Sequence, residues 1–194
     1  MNVGHRGEMG DERRSSLTTK KPAKIALNLD ALAKQFALLG ARNPTEWARS
    51  QVEEGVPQLA RFLFLRQAWN LVVAEDDATW TADMQASAKR RPSDPGAAAG
   101  PALERLLAQG ARAEDITTVV RVMQWRMLAS LCYLLDDPGT LESDVEGVAW
   151  GLFQLDQDEQ PVAAMRGLHE SVLEADPTGR EMRPADGTQP SKSV

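Results

Sequence analysis

The sequence predicts a mainly α-helical protein, a helical bundle of about five helices followed by a small C-terminal β-hairpin and a short final helix. Apolar side chains recur at helical spacing through residues 25–137, in segments that begin and end at Asn, Pro or Gly. Residues 148–165 instead alternate loosely and are divided by the polar "DQDEQP", which is typical of a hairpin. With 42% hydrophobic and 26% charged residues, the composition is that of a globular protein.

The first two helices are predicted from the residues at their ends. The segment "NLDALAKQFALLG" follows Asn28 or Asp30, both good N-cap residues, and ends near Gly40. In "NPTEWARSQVEEG", Asn43 stands in the N-cap position and Pro44 in the first turn, where the missing N–H is not needed. Each segment therefore predicts a short helix.

The next two helices are separated by a loop. A largely buried helix is predicted to start at Pro57, because the apolar residues of "VPQLARFLFLRQAWNLVVA" spread over more than one helical face. Residues 89–101, "KRRPSDPGAAAGP", are rich in proline and glycine and predict a long flexible loop. After this loop, "PALERLLAQG" predicts a short helix that ends at Gly110.

The last helix of the predicted bundle is the longest and continues until Pro138 stops it. One helical stripe along it is apolar, which predicts that this stripe faces the core: Ile116, Val120, Met123, Met127, Leu131 and Leu134. Arg121 and Arg126 lie within the same run, and buried guanidinium groups need carboxylate or carbonyl partners. The two arginines are therefore expected either to anchor an acidic segment or to bind an anionic ligand.

A single globular domain is predicted over residues 25–184. The tails before and after it, residues 1–24 and 185–194, contain few apolar side chains and are predicted to be disordered. Within the domain, residues 25–137 form the predicted helical core, and residues 138–184 form a module that contains the hairpin and the short final helix.

Negative charge is concentrated in this C-terminal module. The net charge is −6, and residues 136–176 hold eleven acidic side chains against one basic side chain. An acidic surface argues against nucleic acid as a partner, because phosphate binding needs clustered Lys and Arg. The charge pattern instead predicts a basic protein partner.

The sequence also predicts the compartment. The only cysteine, Cys132, lies in an apolar helical run, so no intramolecular disulfide can form and a reducing, cytoplasmic environment is expected. The polar first residues lack the apolar stretch of a signal peptide. The most apolar segments are short and contain arginines, so no membrane span is predicted. No cofactor and no metal site are expected.

Together these features predict a non-enzymatic cytoplasmic protein-interaction module, such as an inhibitor, an immunity-type protein or an adaptor, that presents an acidic surface to a basic partner. A homodimer is compatible with the same pattern. The residues expected to contact the partner are one tryptophan in a polar neighbourhood and five carboxylates: Trp80, Asp156, Asp158, Glu159, Glu170 and Glu174.

A hydrolase is the first alternative, with His169 as general base and Glu170, Asp176 or Asp156 as the carboxylate that orients it. His169, Glu170 and Ser171 cannot form a triad among themselves, because adjacent helical residues point about 100° apart. The stretch "HESVL" also lacks the second histidine of the H-E-x-x-H zinc motif. Any catalytic partner of His169 must therefore come from elsewhere in the chain.

DNA binding is the second alternative. The segment around Gly110 has the spacing of a helix-turn-helix, and the N-terminal tail is basic. The helix after Gly110, however, carries apolar residues where a helix in the major groove needs a polar and basic face. This composition disfavours the DNA-binding interpretation.

Overall fold

The computed structural model describes residues 28–77, 79–137 and 148–184. The two predicted tails and residues 138–147 lie outside these ranges. In chain order the described elements are α1 (Leu29–Leu38), α2 (Pro44–Arg49), a π-helical segment (Ser50–Glu54), α3 (Gln58–Trp69), α4 (Trp80–Arg90), α5 (Ala99–Ala108), α6 (Ala113–Asp136), β1 (Phe153–Leu155), β2 (Pro161–Ala164) and α7 (Leu168–Ser171). The prediction of a mainly α-helical protein with a small hairpin and a short final helix is confirmed.

The starts of α1 and α2 differ in how they are capped. The side chain of Asn28 accepts hydrogen bonds from the backbone N–H groups of Asp30 and Ala31, at 3.0 and 3.4 Å, as the sequence predicts. Asn43 precedes α2, but its side chain does not cap the helix. Its amide instead donates to Glu174 at 3.3 Å, so Asn43 connects α2 to the C-terminal part of the chain.

Helix α4 was not predicted. Its sequence, "WTADMQASAKR", is polar and buries only Thr81 and Ala88, so it lacks the apolar stripe that identifies a helix. Close packing on α5 stabilises it, since a Cβ added to Gly100 would lie 2.4 Å from the Cβ of Ala88. The loop predicted over residues 89–101 is consequently shorter, because α4 and α5 extend into both of its ends.

Two hydrophobic clusters meet at α3. In one cluster, Phe36 stacks on Trp47, and Phe62 of α3 packs edge-on against both rings. The other cluster joins α3 to α6 and to residues after the hairpin: Leu65, Ala68, Trp69, Val72, Leu128, Cys132, Met165, Leu168 and Val172. Met165, Leu168 and Val172 therefore belong to the hydrophobic core.

The predicted hairpin is confirmed. β1 and β2 pair antiparallel, with Phe153 opposite Ala164 and Gln154 opposite Ala163. The turn is fixed by Asp156, whose carboxylate oxygen accepts hydrogen bonds from the backbone N–H groups of Asp158 and Gln160, both at 2.9 Å. The turn geometry is thus set by a local side chain, as expected for an Asx turn.

The face of α6 that packs against the core differs from the predicted one. Its inner face, which packs against the rest of the protein, consists of Thr117, Arg121, Leu128 and Cys132. Three residues of the predicted stripe and the neighbouring Val119 form an exposed outer face, with exposed fractions of 62% at Val119, 60% at Met123, 72% at Met127 and 47% at Leu131. The prediction that Met123, Met127 and Leu131 lie in the core is wrong, because the polar Thr117 and Arg121 are buried instead through contacts with residues distant in sequence, which periodicity cannot show.

None of the helices in the described ranges is long and apolar enough to cross a lipid bilayer.

Candidate functional site

Arg121 binds the C-terminal segment, defined here as residues 165–184, through a buried ion pair. Its Nη2 lies 3.2 Å from Oδ1 of Asp176, and the two side chains are 7% and 0% exposed. Nη1 donates to the backbone carbonyl of Val73 at 2.7 Å, and the guanidinium lies over the ring of Trp69. The guanidinium therefore has the carboxylate and carbonyl partners that its burial requires.

Asp176 is held as an ionised carboxylate. It accepts hydrogen bonds from the backbone N–H and the hydroxyl of Thr178, at 3.0 and 2.7 Å, and from the N–H of Met182 at 2.9 Å. Burial raises the pKa of this carboxyl, but the hydrogen bonds from Met182 and Thr178 and the charge of Arg121 outweigh burial and lower the pKa below its usual value. Asp176 therefore organises residues 176–182 around a single buried charge.

A second arginine, Arg61 of α3, holds the start of the same segment. Its Nη2 donates to the hydroxyl of Ser171 at 2.9 Å and to the carbonyl of Gly167, while Nη1 donates to Gln58 at 2.9 Å. Burial lowers the pKa of Arg61, and the charges of nearby acidic residues, Asp136 first, oppose that shift. Arg61 thus keeps the hydroxyl of Ser171 engaged in a structural contact.

Arg42, in the loop between α1 and α2, binds the other end of the segment. Its Nη1 donates to the carbonyl of Gly179 at 2.7 Å, its other nitrogens reach the carbonyl of Glu174, and it pairs with Glu181 at 3.2 Å. Arg42, Arg61 and Arg121 come from three separate parts of the helical core. Together they form an arginine clasp around the C-terminal segment.

The contacts of the arginine clasp make the surface of this region less acidic than the sequence predicts. Asp176 is buried against Arg121, and Glu174 is half-buried and bonded to Asn43, so neither presents a free charge to a partner. Glu170 is exposed, although its charge lies near Arg61. Charge counted along the chain therefore overstates the negative charge on the surface of this region.

Exposed carboxylates remain at the turn of the hairpin. Asp156, Asp158 and Glu159 are all exposed, although one oxygen of Asp156 is used to fix the turn. Next to them lie three exposed apolar side chains, and we call these six residues the hairpin surface: Phe153, Leu155, Asp156, Asp158, Glu159 and Val162. The base of the hairpin is connected to α6, because the indole N–H of Trp150 donates to the carbonyl of Leu134 at 3.0 Å.

His169 contacts a carboxylate that the sequence analysis missed. Its Nδ1 lies 2.5 Å from Oδ2 of Asp136, which also accepts the backbone N–H of His169 at 2.9 Å. The edge of Tyr133 packs on the imidazole, and 37% of the histidine side chain is exposed. Asp136 ends α6 far away in sequence, so only the fold brings it to His169.

Two of the three carboxylates predicted to orient His169, Asp176 and Asp156, have other roles. Asp176 is committed to Arg121 and Thr178, and Asp156 lies at the hairpin turn. The structure gives neither of them a contact with His169, and Ser171 is bonded to Arg61. The Asp136 contact joins the end of α6 to the start of α7, so it has a clear structural role even without any chemistry.

Two further predictions about side chains are wrong. Trp80, expected to be an exposed anchor, is half-buried, and its indole N–H donates to the hydroxyl of Thr117 at 2.7 Å. Arg126, expected to be buried, is exposed at the edge of the outer face of α6. Trp80 therefore attaches α4 to α6, and Arg126 is not a structural anchor.

An open cleft of about 1000 Å³ lies beside Arg121. Its lining includes Glu75, Asp76 and Asp77 as well as Arg180, which pairs with Glu75. Because Arg121 directs its nitrogens to Asp176 and Val73, and because acidic residues line the cleft, the structure disfavours an anionic ligand here.

A second, almost entirely apolar groove of about 510 Å³ lies between α4, α5 and the N-terminal half of α6. Met84, Leu103 and Leu106 form one side, and Ile116 and Val119 form the other. The two helices of the expected helix-turn-helix, α5 and α6, thus enclose an apolar groove and do not present a basic surface.

Within the described residues, no group of three His, Cys, Asp or Glu side chains is placed to hold a metal ion. No protein-family model, curated protein sequence or solved structure matches this chain. What the protein does must therefore follow from its own surfaces.

Proposed function

We propose that the protein is a non-enzymatic interaction module that binds a basic partner protein through the hairpin surface. One observation carries this proposal: exposed apolar side chains and exposed carboxylates stand side by side on the same small hairpin. An apolar patch bordered by charge is typical of a protein contact site. An inhibitor, an immunity-type protein or an adaptor would use such a surface.

The exposed apolar side chains of the hairpin surface favour contact with a partner protein over permanent exposure to solvent. Phe153 and Leu155 lie two residues apart on β1, whose pairing with β2 is irregular between Gln154 and Leu155. They are 47% and 53% exposed, and Val162 on β2 is 55% exposed. A two-stranded hairpin is only marginally stable in water by itself, so a partner that covers these side chains would also stabilise it.

The carboxylates favour a basic partner. Asp158 and Glu159 project from a turn that Asp156 fixes, so their positions are set before binding. Exposed charges of one sign accelerate association with an oppositely charged surface and orient it, more than they strengthen the final complex. Association should therefore slow as salt concentration rises.

The proposal is tested by capture of partners from an extract of the source cells. The double variant Asp158→Lys/Glu159→Lys and the apolar variant Phe153→Ser/Leu155→Ser should each lose proteins that the wild type retains. Asp30→Lys/Asp83→Lys makes the same charge change at exposed positions on α1 and α4 and should retain them. If all variants captured the same proteins as the wild type, the hairpin surface would not be the binding site.

A hydrolase remains the second candidate, because Asp136 contacts Nδ1 of His169 as a carboxylate that orients a general base would. The test is turnover of activated esters by the wild type and by His169→Gln. Activity that disappears in this variant would favour the enzyme. Wild-type protein without turnover would leave the Asp136–His169 contact with its structural role alone.

A further inference from the structure

Helix α6 has an inner face that is covered by the rest of the protein and an outer face that is apolar and exposed. The inner face packs against the core, whereas Val119, Met123, Met127 and Leu131 follow one another every four residues along the exposed outer face. Contiguous exposed apolar side chains on a protein surface are typical of an interaction site. The outer face therefore has the composition of an interface.

The apolar groove continues this face toward the start of α6. Val119 belongs to both features, and Leu106 of α5 and Met84 of α4 extend the apolar area to neighbouring helices. The exposed area thus comprises a ridge on α6 and a groove beside it. A ridge and a groove on one surface can be complementary to the same ridge and groove on another molecule.

Two opposite charges border the outer face. Asp115 and Arg126 are both exposed, and among the described residues neither forms an ion pair. They are eleven residues apart, which is about three helical turns and roughly 16 Å, so they lie on the same side of α6. Asp115 is also the acidic residue that lines the groove.

We propose that two copies of the protein form a symmetric dimer through the outer faces of their α6 helices. The helices pack antiparallel about a two-fold axis that passes near Val120 and Arg121, midway between Asp115 and Arg126. In this arrangement Arg126 of each copy meets Asp115 of the other, so two ion pairs form at once. Each apolar ridge lies against the groove of the other copy.

The positions of the acidic and basic residues along α6 favour a second copy of the protein as the occupant of this surface. Two-fold symmetry requires that when one residue contacts another across the interface, the reverse contact also forms. Asp115 and Arg126 satisfy this condition, since an identical antiparallel helix places opposite charges together at both ends. Met123 and Met127 are unbranched and flexible, which suits them to fill the irregular groove of the facing molecule.

This dimer does not depend on the proposed binding of a basic partner, which uses the hairpin surface. The two hypotheses can therefore fail separately. Variants of α6 should alter self-association without changing Asp158 or Glu159, and hairpin variants should leave self-association unchanged.

The experiment is sedimentation equilibrium of the full chain, which should give twice the monomer mass of 21.2 kDa. Asp115→Arg and Arg126→Asp should each weaken the dimer about tenfold, because two attractive contacts become repulsive. An equimolar mixture of the two variants should recover wild-type association, because each Arg then faces an Asp in the heterodimer. Met123→Glu should weaken the dimer roughly a hundredfold by placing a charge in its centre.

Glu53→Arg and Arg66→Asp are matched controls, since both change an exposed charge outside α6 and should leave the dimer intact. Circular dichroism of every variant establishes that it folds; Asp115→Asn and Arg126→Gln replace any reversal variant that does not. A wild type that stays monomeric at about 100 µM would overturn the proposal. So would single reversals that bind as tightly as the wild type, or a mixture no stronger than its components.

Discussion

The two faces of α6 reverse the usual distribution of polar and apolar residues. The inner face contains Thr117 and Arg121, both buried, while the outer face exposes Val119, Met123 and Met127. The polar residues are buried because the segments they cover supply hydrogen-bonding groups: the carbonyl of Val73, the indole of Trp80 and the carboxylate of Asp176. The inner face is thus matched to partners within the chain.

The outer face has no such partners within the described residues. Its exposed valine and methionine side chains would favour burial by roughly 25 cal/mol for each Å² removed from water. A helix can therefore have two apolar or mixed faces with different roles, one that stabilises the fold and one that contacts another molecule. The difference between the faces can be tested with substitutions at closely spaced positions.

The largest expected difference is between two arginines of the same helix. Arg121→Met leaves Asp176 buried without its cationic partner, which should lower the free energy of unfolding by roughly 3 to 5 kcal/mol. Arg126→Met removes an exposed charge and should change it by less than about 0.5 kcal/mol. Thermal and urea unfolding of both variants measure the difference, and equal effects would mean that Arg121 does not hold the C-terminal segment.

Adjacent residues on opposite faces should also differ. Leu128 is buried on the inner face, so Leu128→Ala should cost about 2 to 4 kcal/mol of stability through lost contacts and a cavity. Met127→Ala should cost less than about 0.5 kcal/mol at concentrations where the protein is monomeric. Urea unfolding in dilute solution compares the two, and a large loss for Met127→Ala would show that the outer face is covered within the monomer.

The pH dependence of stability should reveal Asp176. Because its pKa is lowered in the folded protein, its carboxylate stabilises the fold above the unfolded pKa of about 4, and this contribution disappears as pH falls through the lowered value. Asp176→Asn should be less stable than wild type at neutral pH and should lose less stability on acidification. Melting temperatures measured between neutral and acidic pH test this, with the exposed Asp158→Asn as control; parallel curves for wild type and Asp176→Asn would contradict it.

The smallest effect concerns the thiol of Cys132 on the inner face. Burial, and to a lesser extent the charge of Asp136, raises the pKa of Cys132 to about 11. In the unfolded chain a thiol has a pKa of about 8.5, so the neutral thiol stabilises the fold below that pH and this contribution fades toward pH 11. Disulfide-exchange reagents should modify the native protein slowly at mildly alkaline pH and the unfolded protein rapidly, whereas equal rates would place Cys132 outside the core.

The sequence predicted elements whose ends carry local signals. The Asn28 cap, Pro44 at the start of α2, and the "DQDEQP" turn act within a few residues, so they can be recognised without tertiary contacts. Helix α4 has no such pattern, and the contacts of Trp80 with Thr117 and of Gly100 with Ala88 stabilise it from a distance. Its existence depends on the fold and could not be predicted from periodicity.

The contacts of the candidate site were harder to predict. The contacts of Arg42 and Arg61 with the C-terminal segment could not be predicted from the sequence. Their partners there are mostly backbone carbonyls, which every residue has. The pairing of His169 with Asp136 likewise joins residues far apart in sequence. The predicted orientation of α6 was wrong for a different reason, because Thr117 and Arg121 are buried through hydrogen bonds to distant residues that the sequence does not reveal.

The most direct test of the two roles of α6 is a concentration series of NMR spectra with methyl-labelled methionine. Met123 and Met127 lie on the outer face, and Met165 is buried in the core next to the inner face. From about 10 to about 500 µM, the methyl signals of Met123 and Met127 should shift with dimer formation while that of Met165 stays constant. Methyl signals of Met123 and Met127 that do not change with concentration would contradict the assignment of the outer face as a contact surface between two copies.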